Sequence, residues 1–549
     1  VRHGRTLDTL PYVDLGDHAR RALSPALSST GLVDRITPPE TVLSACNTYT
    51  GPKQLVSWPF NGHGTDGEPD EENGLVFTAE RTAATTPTAP TPGPSGTQSE
   101  EPMRVQRIAA AVVVAGFAAA ALTACSNSTS EGDSAGRTTV SWWTWDERQA
   151  ASYKKCLPGF EKENPGITVK ISQYAVDDYF TKLTAGFVSG AAPDAFQNSV
   201  PLLGAYAGQG QIMALDDLIK KTDYDLSIFD VGVDSWKYTD GKQYGIPLDW
   251  AGAAIYFNED KVKEAGFTDD DIRTMTWNPD DGGTFDKIVA HLTVDENGKR
   301  GDEAGFDKNN VATYGIASLA SGDFNGQTSW NSFVSTLGWR LGNTAAWPTK
   351  LAYDDPDFIK TLDYIRGLGD RGLMPKFGQF TVSGAEQMGS GSVAMVQGGT
   401  WDATSITKIP GVTVRVAPTV EGPKGRSVIS NSNANNIFVG TKHVDETWKW
   451  VTYMGSEACQ SVAGADATFL PSIGASLQVT VDAQKKEGLD ISSFVDALNS
   501  GELWPAPPTA NGQEITDTIQ PLFEAYFSGE RDNDVFPEMA QKSEAILAK

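Results

Sequence analysis

Three short clusters set indoles beside carboxylates: Trp142-Trp143-Thr144-Trp145-Asp146, Asp249-Trp250 and Trp401-Asp402. An indole offers a broad apolar face, and a fixed carboxylate accepts several hydrogen bonds. Together these groups suit carbohydrate, whose rings present C–H faces and hydroxyl edges. The chain holds 14 Trp, enough for more than one ring to find its own platform. Amides add to the supply: Gln197 and Asn198 in DAFQNS, and Asn431, Asn433 and Asn435 in SNSNANN. Asparagine also favours turns, so these last three have a purely conformational reading as well. Asp194 follows Pro193 and reads equally as a turn residue.

Other chemistries find less support. No CxxC pair and no HxxxH spacing occurs, so no metal site is expected. DENGKRGDEAGFDKNN is acidic but lacks the order of a calcium loop, and reads as a surface hairpin. His291 and His443 stand in polar contexts beside no suitable Ser or Cys. The acids are spread as on a solvated surface, and no two stand out as a glycosidase pair. No cofactor and no enzymatic activity are expected. With 70 acidic and 44 basic residues, the formal charge of −26 argues against nucleic acid and anionic membrane surfaces as partners.

The elements that must position these residues read as alternating strand and helix. TTVSWWTW, from Thr138, is β-rich. A helical pattern follows through Tyr153, Cys156 and Phe160, then NPG, then the alternating ITVKISQY: a βαβ opening. Alternation puts Trp142 on the face opposite Trp143 and Trp145, and we expect Trp142 in the core. Trp145 and Asp146 fall just past the strand end, where open α/β sheets bind ligands. DPDFIKTLDYIRGLGDRG and DETWKWVTYMGSEACQ read as helices, VAMVQ and VTVRVAP as strands. The whole is an α/β layered pattern without internal repeats.

Five stretches then occur in a telling order: FEKENPGITVKI, KLTAGFVSGAAPDAF, DGKQYGIPLDWAGAAIYFNEDKVKEAGF, GSVAMVQGGTWDA and TFLPS. From about Thr138 to Lys549 the chain resembles extracellular solute-binding proteins of ABC importers, of the sugar-binding, maltose-type branch. The resemblance implies a two-lobed, periplasmic-binding-protein-like fold of type II with ligand in the cleft. It places the lobe crossings near Pro247, Asn431 and Pro471. Lobe one would span 138–247 and 431–470, lobe two 248–430 and 471–549. It implies ligand contacts from Asp249 and Trp250 at the first crossing. Trp401, in QGGTW, matches the family's stacking aromatic, and its flanking glycines would allow close approach to a ring. Trp330 and Trp347 fall where relatives line the cleft, with core packing as the alternative. Trp504, in LWPAPP, reads as a surface or lobe-edge residue. With Trp145, Asp146, Asn198 and Asn433 these make up the expected ligand set. A monomer that works with importer permeases and performs no covalent chemistry is implied. The esterase-like stretch described next raises xylo-oligosaccharide as ligand, with malto- and cello-oligosaccharides open.

Met103 to Cys125 has Arg104 and Arg107, then fifteen small or apolar residues from Ile108 to Leu122. This is the pattern of a secretory signal peptide, too short for a comfortable membrane span. Leu122-Thr123-Ala124-Cys125 resembles a bacterial lipobox, which implies lipidation of Cys125, a lipid anchor on the outer face of the membrane, and a working protein starting there. SNSTSEGDSAGR, residues 126–137, reads as a tether. Residues 66–102 are rich in Thr, Pro, Gly and Glu and read as a disordered linker. Cys156 and Cys459 would be the only cysteines of the exported domain, and a disulfide between them is expected.

Gly31 to Gly64 reads GLVDRITPPETVLSACNTYTGPKQLVSWPFNGHG and resembles the C-terminal end of an acetyl xylan esterase of the α/β-hydrolase fold. The match makes Asp34 the triad acid and His63 the triad histidine. Thr37 and Gly64 depart from the family pattern. No GxSxG elbow precedes Asp34, so residues 1–65 are expected to be a remnant without acyl-transfer activity.

Overall fold

A computed structural model describes Ala26–Gly31, Lys53–Trp58 and residues 137–549 other than Ala467. The chain forms two units, Val1–Ala135 and Gly136–Lys549. In the first, β1 (Ala26–Gly31) pairs in parallel with β2 (Lys53–Trp58). Asp34, His63, Cys125 and the signal-like stretch lie outside the described residues.

The second unit is α/β with two lobes. Val and Thr with the Trp pair favour extended backbone in β3 (Thr138–Thr144), where Val140, Trp142 and Thr144 turn inward. Asp146 ends the strand by capping the helix Glu147–Lys154, its carboxylate accepting from the Gln149 N–H. β4 (Ile167–Gln173) and β5 (Ala195–Ser199) lie parallel to β3 on either side, each reached through helices. β6 (Ile246–Ala251) continues past Gly252 into β7 (Ala253–Asn258). A minor hairpin, β8 (Val294–Asp295) with β9 (Val311–Thr313), follows. Then come β10 (Met395–Gly399), β11 (Val414–Ala417), β12 (Val428–Ile437), β13 (Leu470–Pro471) and β14 (Leu503–Pro505).

The lobe-one sheet has the order β13-β6-β12-β5-β3-β4, and the lobe-two sheet β10-β7-β11. Three passages join them. The first falls at Gly252, since β6 belongs to one sheet and β7 to the other; Pro247 lies mid-strand, opposite Ala434. β12 makes the second: Val428–Ser430 pair with β14, and the rest of the strand with β5 and β6. β13, paired to β6 through Leu470 and Pro471, precedes the third.

Each sheet is packed on both faces. Trp142, Tyr153, Phe160, Trp450 and Met454 fill one side of the first, and Tyr179, Phe196, Leu203 and Trp236 the other. Lobe two is built on a larger core that includes the helices Gly512–Ser528 and Val535–Leu547. A disulfide joins Cys156 to Cys459 with their Cα atoms 5.2 Å apart. The DENGKRGDEAGFDKNN stretch is closed by Asp295, whose carboxylate accepts N–H bonds from Asn297, Lys299 and Asp307. Those bonds hold its pKa below the usual value, the Asp307 N–H contributing most. No group of His, Cys, Asp or Glu among the described residues could hold a metal ion.

Candidate functional site

The C-terminal ends of β3, β5 and β6 and the start of β12 meet at one end of the lobe-one sheet. Pairing puts Asn433 opposite both Asp249 and Ser199. Asp249 is 2% exposed, and its Oδ1 accepts from Asn433 Nδ2 at 2.8 Å. Its Oδ2, the Asn433 Oδ1 and the Asn431 Oδ1 are buried without a protein partner. Asn431 Nδ2 donates to Ser199 Oγ at 3.0 Å. The Tyr153 hydroxyl is also buried and unpartnered, and it feels the charges of Asp249 and Asp146. Burial, with those charges, raises Tyr153 far above its ordinary value, so it stays a neutral donor.

Asp249 is the electrostatic centre of this group. Burial raises its pKa from the usual 3.8 to about 7; the Asn433 hydrogen bond opposes the rise, and Asp146 adds to it. Buried polar groups in proteins are normally paired, and leaving one unpaired costs about 1–3 kcal/mol. Several buried acceptors and a buried hydroxyl donor without protein partners therefore gather at one sheet end.

Trp401 comes from lobe two. It follows β10 in the short turn Thr400–Asp402, and its ring lies over Gly399, where a Cβ would stand 2.4 Å from the indole. Glycine is needed there because the ring approached is Trp401's own. Asp402 Oδ2 accepts from the Gly399 N–H at 2.9 Å and fixes the turn. Burial raises the Asp402 pKa, against the pull of that N–H and of Arg148. Arg148, on the helix after β3, donates to the Trp401 carbonyl at 3.2 Å, so lobe one touches lobe two beside the indole. A second bridge is made by Trp347, packed edge-on against Tyr238 at 5.1 Å.

A model of the bacterial extracellular solute-binding protein family matches residues 158–489, more than half of the chain. The chain belongs to that family. Residues 2–80 separately match the acetyl xylan esterase model. The lactose-binding protein of Rhizobium radiobacter is 30% identical over 169 residues, 29% of this chain. The chain spans only 37% of that relative's length. Among solved structures, UspC of M. tuberculosis is 26% identical with a TM-score of 0.61, over 74% of this chain and all of that one. An ABC substrate-binding protein of Listeria monocytogenes in complex with cycloalternan has a TM-score of 0.63 at 20% identity, over 75% of this chain and 98% of that one. The two-lobed type II architecture of this solute-binding protein is shared with those structures.

The remaining expected residues divide by position. Asn198 pairs with Ala434, so its side chain turns to the sheet face opposite Asn433; its Oδ1 accepts from the Ser199 N–H and its Nδ2 is unpartnered. Trp145 is half-buried on that same side, edge-on to Tyr179 at 5.3 Å. Trp250 and Asp249 point to opposite faces, as consecutive strand residues do, and the Trp250 ring lines a cavity of about 350 Å³ with Ser430 and Ser432. Trp330 is a correction. It is fully buried in the lobe-two core against Trp339, Phe358 and Phe523, and no part of it faces a cleft.

Gln197 is occupied by Thr144 and Gln149, Asn435 by Trp142 and Met454, and Asp194 by Ser141 and Thr441. These three hold the sheet together. Trp504 carries the Arg340 guanidinium 4.9 Å from its ring. Sequence reasoning missed Tyr153 and Arg148. Tyr153 was detectable, because Asp146, Gln149 and Tyr153 are spaced by three and four, which is one helix face. Arg148 carried no such signal, since its partner is a backbone carbonyl more than 250 positions away.

Proposed function

We propose that this protein captures an oligosaccharide between its lobes and delivers it to the permease of an ABC importer, standing outside the cell on a lipid attached to Cys125. The observation that carries the reading is the set of unpartnered polar atoms of Asp249, Asn431, Asn433 and Tyr153 at the end of the lobe-one sheet. In this reading Asp249 and the asparagines accept hydroxyl hydrogen bonds and Tyr153 donates one. Trp401 and Trp145 stack on ring faces, and Asp146 and Asn198 serve the flanking units. Closure is a hinge motion at the three passages, in which ligand shifts the population toward the closed form. The names of the lactose-binding relative and of the cycloalternan complex support a saccharide. The esterase match at residues 2–80 favours xylo-oligosaccharide among the candidates.

Calorimetry and tryptophan fluorescence with xylo-, cello- and malto-oligosaccharides test this. Saturable micromolar binding to one series, without product, is the expected result; no binding to any of them refutes it. A second reading, ester hydrolysis by the N-terminal stretch, draws on the same match. Release of acetate from acetylated xylan, abolished by His63→Ala, would establish it. No release of acetate refutes it.

A further inference from the structure

Lobe two carries a second cavity, of about 300 Å³, lined in part by Ser318, Pro375, Lys376, Phe377, Phe380 and Gln387. The volume accommodates one sugar ring. Its walls are fixed. Phe377 stacks on Phe527, and Phe380 stands edge-on to Tyr314 at 6.2 Å. Gln379 ties the loop to the Tyr314 hydroxyl at 2.7 Å. Ser383 and Glu386 form a capping box on the helix Gly384–Gly389 that carries Gln387.

Two polar groups of this cavity are under-used, while Ser318 Oγ already accepts from the Ala320 N–H at 3.3 Å. Gln387 is 8% exposed; its Nε2 donates to the Val382 carbonyl, while its Oε1 has no partner. The Lys376 side chain is exposed, and among the described residues no acid or carbonyl pairs with its ammonium. The cavity lies on the lobe that carries Trp401. The Ala317 N–H donates to the Met395 carbonyl, so Ser318 follows a segment running beside β10, the strand that ends just before Trp401.

We propose that this cavity is an accessory subsite for a sugar ring bearing a carboxylate, a uronic acid unit of the captured saccharide. The two phenylalanine rings face the C–H surface of the ring. Gln387 Oε1 accepts a ring hydroxyl, Ser318 Oγ exchanges another, and Lys376 pairs with the carboxylate. One ammonium matches the single charge of a carboxylate better than the nearly double charge of a phosphate monoester. The inference rests on the saccharide reading above and narrows it to acidic oligosaccharides.

The test is calorimetric titration of the full chain with unbranched xylo-, cello- and malto-oligosaccharides and with a xylo-oligosaccharide carrying a glucuronic acid branch. The expected result is about two- to fivefold tighter binding of the acidic ligand, as one exposed ion pair gives. Lys376→Met should abolish the preference and Lys376→Arg retain it. Gln387→Leu should weaken the acidic ligand severalfold, and 0.5 M salt should shrink the preference. Equal affinity for branched and unbranched ligands, or a preference that survives Lys376→Met, overturns the subsite and leaves the capture of saccharide standing. Failure of every saccharide to bind overturns both.

Discussion

Replacing Asp249 by Asn should stabilise this protein at neutral pH. Asp249 ionises at about 7 in the native state against 3.8 for an ordinary aspartate, because it is buried with one oxygen unpartnered. Between those two values the native state holds a proton that the unfolded chain has lost. Stability therefore falls as pH rises from about 4 to 7, and is flat beyond. A rise of about three pH units at about 1.4 kcal/mol each sets a ceiling of ~4 kcal/mol on this cost. The Asp249→Asn side chain keeps an oxygen to accept from Asn433 and carries no charge, so the slope disappears. Urea unfolding of both proteins at pH 4, 6 and 8 measures the effect. The expected result is near-equal stability at pH 4 and a variant more stable by about 2–4 kcal/mol at pH 8. A stability difference that does not change with pH would refute the argument. Saccharide hydroxyls donating to the carboxylate favour its charged form, so affinity of the native protein should rise with pH up to about 7 and then level. The variant should bind weakly at every pH.

Trp401→Ala should weaken saccharide binding more than tenfold in calorimetry while the thermal transition moves little, because the half-buried ring packs on its own turn rather than in a core. Trp330→Ala should do the reverse, costing about 3–5 kcal/mol in denaturant unfolding by opening a cavity in the lobe-two core. Arg148→Ala removes a hydrogen bond between the lobes, worth about 0.5–1.5 kcal/mol. It should enlarge the ligand-free radius of gyration in X-ray scattering and lower affinity about two- to tenfold; an unchanged radius would mean that Arg148 does not hold the lobes together.

Local rules carried the reading of the sequence as far as they reach. β3, the helix after it and β4 are legible from period and turn residues alone, and Trp142 is buried because alternation points it inward. The same alternation separates Asp249 from Trp250, though the resemblance had suggested both as contacts. Position along a strand fixes a face, and a family match at one residue does not extend to its neighbour. Gln197 and Asn198 illustrate what sequence hides. Both are buried amides at one strand end, yet Gln197 is consumed by Thr144 and Gln149 while the Asn198 Nδ2 is left over. Which amide stays open depends on partners nearly fifty or more positions away, and no periodicity reports that. Trp330 shows the same limit for aromatics, since core packing and ring stacking ask for the same residue.

Several of the unpartnered atoms gather where the sheet ends. Along the body of β12, Asn435 is engaged through both side-chain atoms, by Trp142 and Met454, while Asn436 donates to the Tyr244 carbonyl at 2.6 Å and keeps an open Oδ1. Toward the strand's start Asn433 and Asn431 likewise keep an open oxygen each, and there the Asp249 Oδ2 lies open beside them. Burying such groups destabilises the free protein, and the ~4 kcal/mol ceiling for Asp249 is of the same order as a large fraction of a domain's net stability. A chain selected for stability alone would carry apolar side chains there. Groups held open at such a cost are preorganised, so an arriving molecule gains the hydrogen bonds without ordering the side chains that make them. On this view stability and affinity oppose each other at Asp249, which is why the single change of its carboxylate to an amide should raise the first and lower the second.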